Sequence, residues 1–187
     1  ALHNHFLWEQ PRVMFMHIEG MGPQQKLATA VGKVFQTLKD TMGGKGGGKG
    51  WMPGGSFDPA KTTLNIAPIE ALLGEKAEAS PGVYKFSFGR SASMHGVPIG
   101  NAMGVNTWAA FAGTDNQALV DGDFVVRAFE LQEVLRTLTK GKIAVVAIHN
   151  HMTEEEPRYF FLHYWGVGPV RELATTLKAA LTISMLK

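Results

Sequence analysis

Apolar positions along the chain follow two periods. Val83–Phe88 alternates with period two and predicts a strand, and Val105–Phe111 and Ala118–Val126 are further strand candidates with glycines at their ends. Leu131, Val134, Leu135 and Leu138 fall at i, i+3, i+4 and i+7, which predicts an amphipathic helix stopped near Gly141. Pro68 to Leu73, with Gly74 behind it, reads as a short helix closed by a C-terminal glycine. Ile143–Ile148 is a short buried type of strand that leads into His149-Asn150-His151. Thr153-Glu154-Glu155-Glu156-Pro157 predicts a polar turn, and Arg158–Trp165 a returning strand. Gly168-Pro169 then opens a helix with proline at its first position and Leu173, Leu177 and Leu181 on one face. This order predicts an α+β fold: an antiparallel sheet with flanking helices, ending in a β-α-β-β-α unit.

The end of that pattern occurs twice. Residues 1–35 align with 147–181 at a shift of 146, without a gap and with 15 identities. The pairs include His3/His149, Asn4/Asn150, His5/His151, Glu9/Glu155, Pro11/Pro157, Arg12/Arg158, His17/His163 and Gly20/Gly166. By this match Arg12–Gly20 is a strand, and a helix runs from Pro23 with Leu27, Val31, Val34 and Leu38 as its apolar face. Residues 62–146 have no counterpart ahead of Ala1. The expected organisation is therefore 1–40 as the C-terminal half of a first repeat, 41–61 as a Gly-rich linker, and 62–187 as a complete second repeat. Gly43-Gly44-Lys45-Gly46-Gly47-Gly48-Lys49-Gly50 suits a linker, because Lys49 lacks the following Ser or Thr of a phosphate loop. A first residue of Ala implies a removed leader or a piece of something longer. The incomplete repeat would then be completed by the missing N-terminal segment or by another copy in a homo-oligomer.

Composition changes this picture mainly by exclusion. The chain has no Cys, so disulfide scaffolds, thiolate metal sites and cysteine nucleophiles are out. A net charge of +2 without a basic block gives no footprint for nucleic acid. No apolar run reaches the roughly 20 residues of a membrane-spanning helix.

Six of the seven histidines lie in the repeated segments. On a strand, His149 and His151 project to one face roughly 6.5–7 Å apart, and His163 can join them from the returning strand. Three imidazoles from one hairpin suit a divalent transition metal, zinc first and copper second. Glu155 could add a carboxylate ligand or serve as a base beside bound water. His3, His5, His17 and Glu9 repeat the set and could form a second site. His95 is a further ligand, a general acid/base, or a turn residue beside Gly96. Arg158 and Arg12 could hold a substrate anion or orient the neighbouring glutamates. Trp108, Tyr159, Tyr164 and Trp165 read as core before they read as a ring-binding surface. Met14, Met16 and Met21 read as packing before thioether ligands, since Phe160 and Leu162 replace two of them in the second copy.

The residues also resemble a known family. Val145-Val146-Ala147-Ile148-His149-Asn150-His151-Met152, then Glu155-x-Pro157-Arg158, then Phe161-Leu162-His163-Tyr164-Trp165-Gly166 are similar to the LppY/LpqO family. So are Gly82-Val83-Tyr84-Lys85, Gly89-Arg90, His95-Gly96, the run Ala102–Phe111 and Gly122-Asp123. The resemblance implies secreted or lipid-anchored bacterial proteins, often of two tandem domains, and an extracytoplasmic location. It implies no settled reaction. The residues themselves lead to a metal-binding protein, with metal-dependent hydrolysis of a small-molecule or glycan substrate as its activity. A non-catalytic metal- or ligand-binding envelope module and a copper oxidoreductase are the alternatives.

Overall fold

A computed structural model of the 187-residue chain describes residues 1–5, 13–42 and 59–185. The first repeat supplies β1 (Leu2–His3), β2 (Phe15–Met16) and α1 (Gln24–Met42). After a single 3-10 turn at Pro59–Lys61 come α2 (Ala67–Leu73), β3 (Glu78–Ser80), β4 (Val83–Gly89), β5 (Ala92–Met94) and β6 (Val97–Ile99). Then follow β7 (Asn106–Gly113), β8 (Ala118–Val126), α3 (Ala128–Lys140), β9 (Ala144–His149), β10 (Glu155–Glu156), β11 (Phe160–Gly168) and α4 (Val170–Ser184). The main sheet is antiparallel in the order β3-β4-β7-β8-β11-β9, so the α+β architecture is as expected. Because β11 lies between β8 and β9, α3 crosses over it and the C-terminal unit is a split β-α-β.

Strand alternation divides the chemistry between the two faces of this sheet. Val120, Phe124 and Val126 of β8 and Leu162 and Tyr164 of β11 are buried in one core with Val134 and Leu138 of α3 and Leu173, Leu177 and Leu181 of α4. The intervening residues, Asp121 and Asp123 on β8 and Phe161 and His163 on β11, point to the opposite face. Part of that face is covered by a small sheet ordered β10-β5-β6, over a second cluster of Ile99, Val105, Val125, Met152, Tyr159 and Phe161.

Gly122 faces the helices where no side chain fits. A Cβ there would lie 2.1 Å from Tyr164 Oη and 2.3 Å from the Trp108 carbonyl oxygen. Tyr164 crosses β8 at this point to donate its hydroxyl hydrogen to Trp108 O at 2.9 Å. Gly122→Ala is expected to destabilise the protein by about 1–3 kcal/mol or more, as overpacked cores do. Urea unfolding checks this, and a midpoint equal to that of the parent would refute it.

Three sequence expectations change. Helix α4 starts at Val170, so Pro169 is its N-cap and not its first helical residue. The polar turn at 153–157 contains β10, whose Glu155 pairs with Met94 and Glu156 with Ser93. The returning strand begins at Phe160 instead of Arg158 and runs on to Gly168. Of the expected Gly-rich linker, 41–61, residues 43–58 lie outside the described residues, as do Glu9 and Arg12, while 41–42 end α1 and 59–61 form the 3-10 turn.

The first repeat keeps the geometry of its counterpart. Leu2 pairs with Met16 and His3 with Phe15, as Ile148 pairs with Leu162 and His149 with Phe161. Helix α1 begins at Gln24, which is Val170 shifted by 146. Yet Met16, Phe35 and Leu38 are exposed, whereas their counterparts Leu162, Leu181 and Ser184 are buried. Met14 and Met21 are also exposed, so packing is not their role in this structure.

Candidate metal centre

Strand β9 would put His149 into the helix-side core if its alternation ran unbroken, because Val145 faces the helices. A bulge prevents this. Pairing with β11 steps from His163↔Ala147 to Tyr164↔Val145, leaving Val146 as the extra residue. Val145 therefore packs on the core side while Ala147 and His149 face the same side as His163. His151 follows just beyond the strand, its ring centroid 5.1 Å from that of His149. The three second-repeat histidines thus converge on the sheet face opposite the helices.

The first repeat lays its own hairpin against them. The two hairpins meet about a pseudo-twofold axis that passes between His3 and His149, whose rings stack at 3.7 Å. The contact between His17 and His151, at 3.8 Å, has its image in that between His163 and His5, at 3.7 Å. Within each hairpin, His5 stacks on Phe15 at 3.6 Å and His151 on Phe161 at 3.4 Å. His3 Nε2 and His163 Nε2 stand 3.0 Å apart. His3, His5 and His17 therefore do not build a separate second site among the described residues. They join the second repeat's histidines in one centre.

Asp123 adds a carboxylate that sequence reasoning passed over as a binding residue. Its side chain is 2% exposed, and Oδ2 lies 3.4 Å from His151 Nε2 and 3.6 Å from His163 Nε2. The signal was present as Asp121-x-Asp123, two acids at period two in a strand whose other face is wholly apolar. Two overlapping groups could hold a metal ion: His3, His17, His149 and His163, or Asp123, His149, His151 and His163. In each, the ligand atoms lie within 4.8 Å of one another. Nitrogens bound tetrahedrally to zinc are roughly 3.3 Å apart, given bonds of about 2.0–2.1 Å, so the ligand atoms would close by at most about 1.5 Å to form a coordination shell.

Electrostatics favours the neutral, ligating form of every ring. Burial, with neighbouring imidazoles adding to it, lowers His3 to about 3 and His5 and His17 to about 4. Burial likewise lowers His151 to about 4 and His163 to about 2, and brings His149 down. His149 Nδ1 lies 3.3 Å from the Asn150 carbonyl, which can only accept, so the proton belongs on Nδ1. That leaves His149 Nε2 as the lone-pair atom, and it has no hydrogen-bond partner. His17 Nε2, His151 Nε2, His3 Nδ1, His163 Nδ1 and Asp123 Oδ1 are also buried without one. Burial raises Asp123 to about 7, against the pull of His149, and burial with Asp123 beside it raises Asp121 to about 8. A cation is the missing complement of such a group.

The other predicted residues gather elsewhere. Glu155 is buried, but Oε1 accepts from the Tyr159 backbone N–H at 3.0 Å and lies 3.4 Å from Arg158 Nε. His95, at φ 51°, pairs through Nδ1 with Glu154 at 3.1 Å. His95, Glu155 and Arg158 line one cavity with Ser93, Thr153 and Glu156, and none of them belongs to either metal-capable group. Tyr159, Tyr164 and Trp165 are core residues, whereas Trp108 carries the Lys85 ammonium at 5.0 Å and meets His163 edge-on at 6.5 Å. A second cavity of about 330 Å³ opens at the seam between the repeats, lined by His17, His151, Met94, Met103 and Met152. It brings outside solutes to two rings of the centre.

Comparison with known proteins gives a family and no activity. The chain belongs to the family described as Domain of Unknown Function (DUF1259), which matches residues 1–37 and 67–183. Both matched segments carry histidines of the centre. No curated protein and no solved structure matches the chain. No helix among the described residues is long and apolar enough to cross a membrane.

Proposed function

We propose that this member of the DUF1259 family binds a transition-metal ion, zinc first and copper second, where its two repeats meet. One observation carries the reading: His17 Nε2, His149 Nε2 and His151 Nε2 are buried without hydrogen-bond partners, beside His3 and His163, whose Nε2 atoms stand 3.0 Å apart. Each such orphaned group costs about 1–3 kcal/mol in a folded protein, and a shared cation relieves several at once. Imidazole with one carboxylate suits zinc, copper, nickel or Fe(II), and the absence of Cys leaves no thiolate to compete. Elemental analysis of protein purified without chelator is expected to find stoichiometric metal. A protein that holds none, and takes up none on dialysis against zinc or copper, sinks the proposal.

For activity we propose metal-dependent hydrolysis. The seam cavity beside His17 and His151 supports it, since a catalytic centre needs an approach for substrate. A bound divalent ion would supply Lewis-acid activation of water. Asp123 is the carboxylate near enough to hold a proton there, whereas Glu155, His95 and Arg158 would act only on a substrate long enough to reach their own cavity. His149→Ala is expected to lower metal-dependent turnover of esters, phosphoesters or glycosides at least 100-fold while the circular dichroism spectrum is kept. Tight metal binding without turnover on any of these would favour the non-catalytic envelope module. A Cu(II) spectrum with oxygen consumption would favour the copper oxidoreductase. Extracytoplasmic location rests on the resemblance to the LppY/LpqO family. The open apolar surface of α1 and β2 is where the complement of the first repeat would sit.

A further inference from the structure

The two candidate ligand sets share His149 and His163, so one ion excludes the other. Pseudo-symmetry separates them. A shift of 146 carries His3 to His149 and His17 to His163, so the four-imidazole set maps onto itself. Each repeat gives it two ligands from one hairpin, and the ring contacts within the two pairs match: His3–His17 at 4.9 Å and His149–His163 at 5.0 Å. The cross-repeat contacts match as well, with His3–His163 at 4.7 Å and His17–His149 at 5.1 Å. The set containing Asp123 does not map onto itself, because the same shift carries His149, His151 and His163 to His3, His5 and His17. His5 and His151 flank the symmetric set, one on each side, stacked on Phe15 and Phe161.

What else joins the repeats makes the symmetric set consequential. Among the described residues of the first-repeat hairpin, Leu2, Val13, Met14, Met16, Ile18 and Met21 are exposed and Phe15 is half-buried, so the large apolar side chains described there contribute little to the seam. The Glu19 carboxylate accepts from Thr153 N at 3.1 Å, in an exposed position where such a bond contributes little. His3, by contrast, is only 6% exposed and lies against the rings of His149 and His163.

We infer that the ion lies on the pseudo-twofold axis, held by His3 and His17 from one repeat and His149 and His163 from the other, and that it ties residues 1–42 to the complete repeat. This rests on the metal-binding reading above and adds which ligands hold the ion and what its loss releases. A hairpin placed by ligand bonds instead of apolar burial detaches when those bonds go, while the second repeat keeps its own core.

The test uses the full chain with zinc as the probe. Wild-type protein is expected to bind one zinc per chain. The double substitution His3→Ala/His17→Ala removes two of four ligands and is expected to weaken binding at least 100-fold. His151→Ala, outside the symmetric set, should weaken it less than tenfold. His3→Gln/His17→Gln repeats the first measurement with side-chain volume kept, in case the alanine pair perturbs the hairpin. In parallel, chelation of the wild type should speed proteolytic cleavage within 13–42 at least tenfold, with 62–185 resistant and protection restored by zinc. If the double variants bind zinc like the wild type and His151→Ala does not, the ion belongs to the Asp123 set. That outcome overturns the tie and leaves metal binding standing. Zinc binding whose removal does not alter cleavage within 13–42 overturns it too. A wild type that takes no zinc defeats the metal reading itself.

Discussion

Zinc added to the chelated protein is expected to raise its melting temperature by roughly 8–16 °C. At a free concentration a thousandfold above Kd, a ligand bound only by the native state contributes about 4 kcal/mol. Each kcal/mol moves the midpoint by about 2–4 °C in a chain of this size. The gain has a structural origin. Without an ion, His17 Nε2 and His149 Nε2 are desolvated and unpaired, and ligation removes that penalty from the folded state alone. Differential scanning calorimetry across a zinc series measures the effect. Coincident traces with and without metal would contradict it.

The second large effect lies outside the centre, at Glu130. Its carboxylate, 1% exposed, accepts from Arg90 at 2.7 and 3.1 Å and from Arg127 Nε at 2.9 Å. It also reaches back to the Arg127 backbone N–H at 2.7 Å, capping the first turn of α3. Arg90 extends from the end of β4, donates to Val125 O at 3.3 Å and covers the Tyr159 ring at 4.9 Å. Glu130→Gln leaves the nearly buried Arg90 without its counter-charge, a loss of about 3–5 kcal/mol. The expected fall in melting temperature is about 6–20 °C. Arg90→Met combined with Glu130→Gln should recover part of it, since the stranded cation is gone.

The same pair fixes a pH dependence. Burial would raise the Glu130 carboxyl, but the Arg90 and Arg127 hydrogen bonds outweigh it and hold the group below its ordinary value of 4.5. Between the lowered folded value and 4.5, the unfolded chain binds the extra proton, so stability rises with pH there. The stability difference between wild type and Glu130→Gln should be constant above that range. It should shrink as pH falls through it, and a difference that grows on acidification would be the wrong sign.

Most of the sheet and its helices were legible in the sequence because their signals are local. Ala118–Val126 and the helix carrying Val134 and Leu138 follow from alternation and from i, i+3, i+4 spacing. Where local signals were weak, elements went unread. Glu78–Ser80 is exposed throughout and lacks an apolar face, and Ala92–Met94 and Val97–Ile99 are three residues each around a turn at His95 and Gly96. Glu155 read as a turn residue because three glutamates in a row look solvated. Its burial comes from pairing with Met94, some 60 positions away.

The histidines divide the same way. Their repeated spacing marked all six as ligand candidates, and strand parity put His149 and His163 on one face. Parity could not foresee the bulge at Val146, which lets β9 pack the half-buried Val145 against the helix-side core and still turn His149 toward His163. Nor could it foresee that His3, His5 and His17 would complete the same centre, or that Asp123 would stand beside it. By itself the sequence determined the repeat, the periodicity of the elements and the ligand chemistry, since these depend on neighbours within a few residues. Only the tertiary structure decided that the two hairpins meet face to face, because that rests on contacts between residues about 146 positions apart.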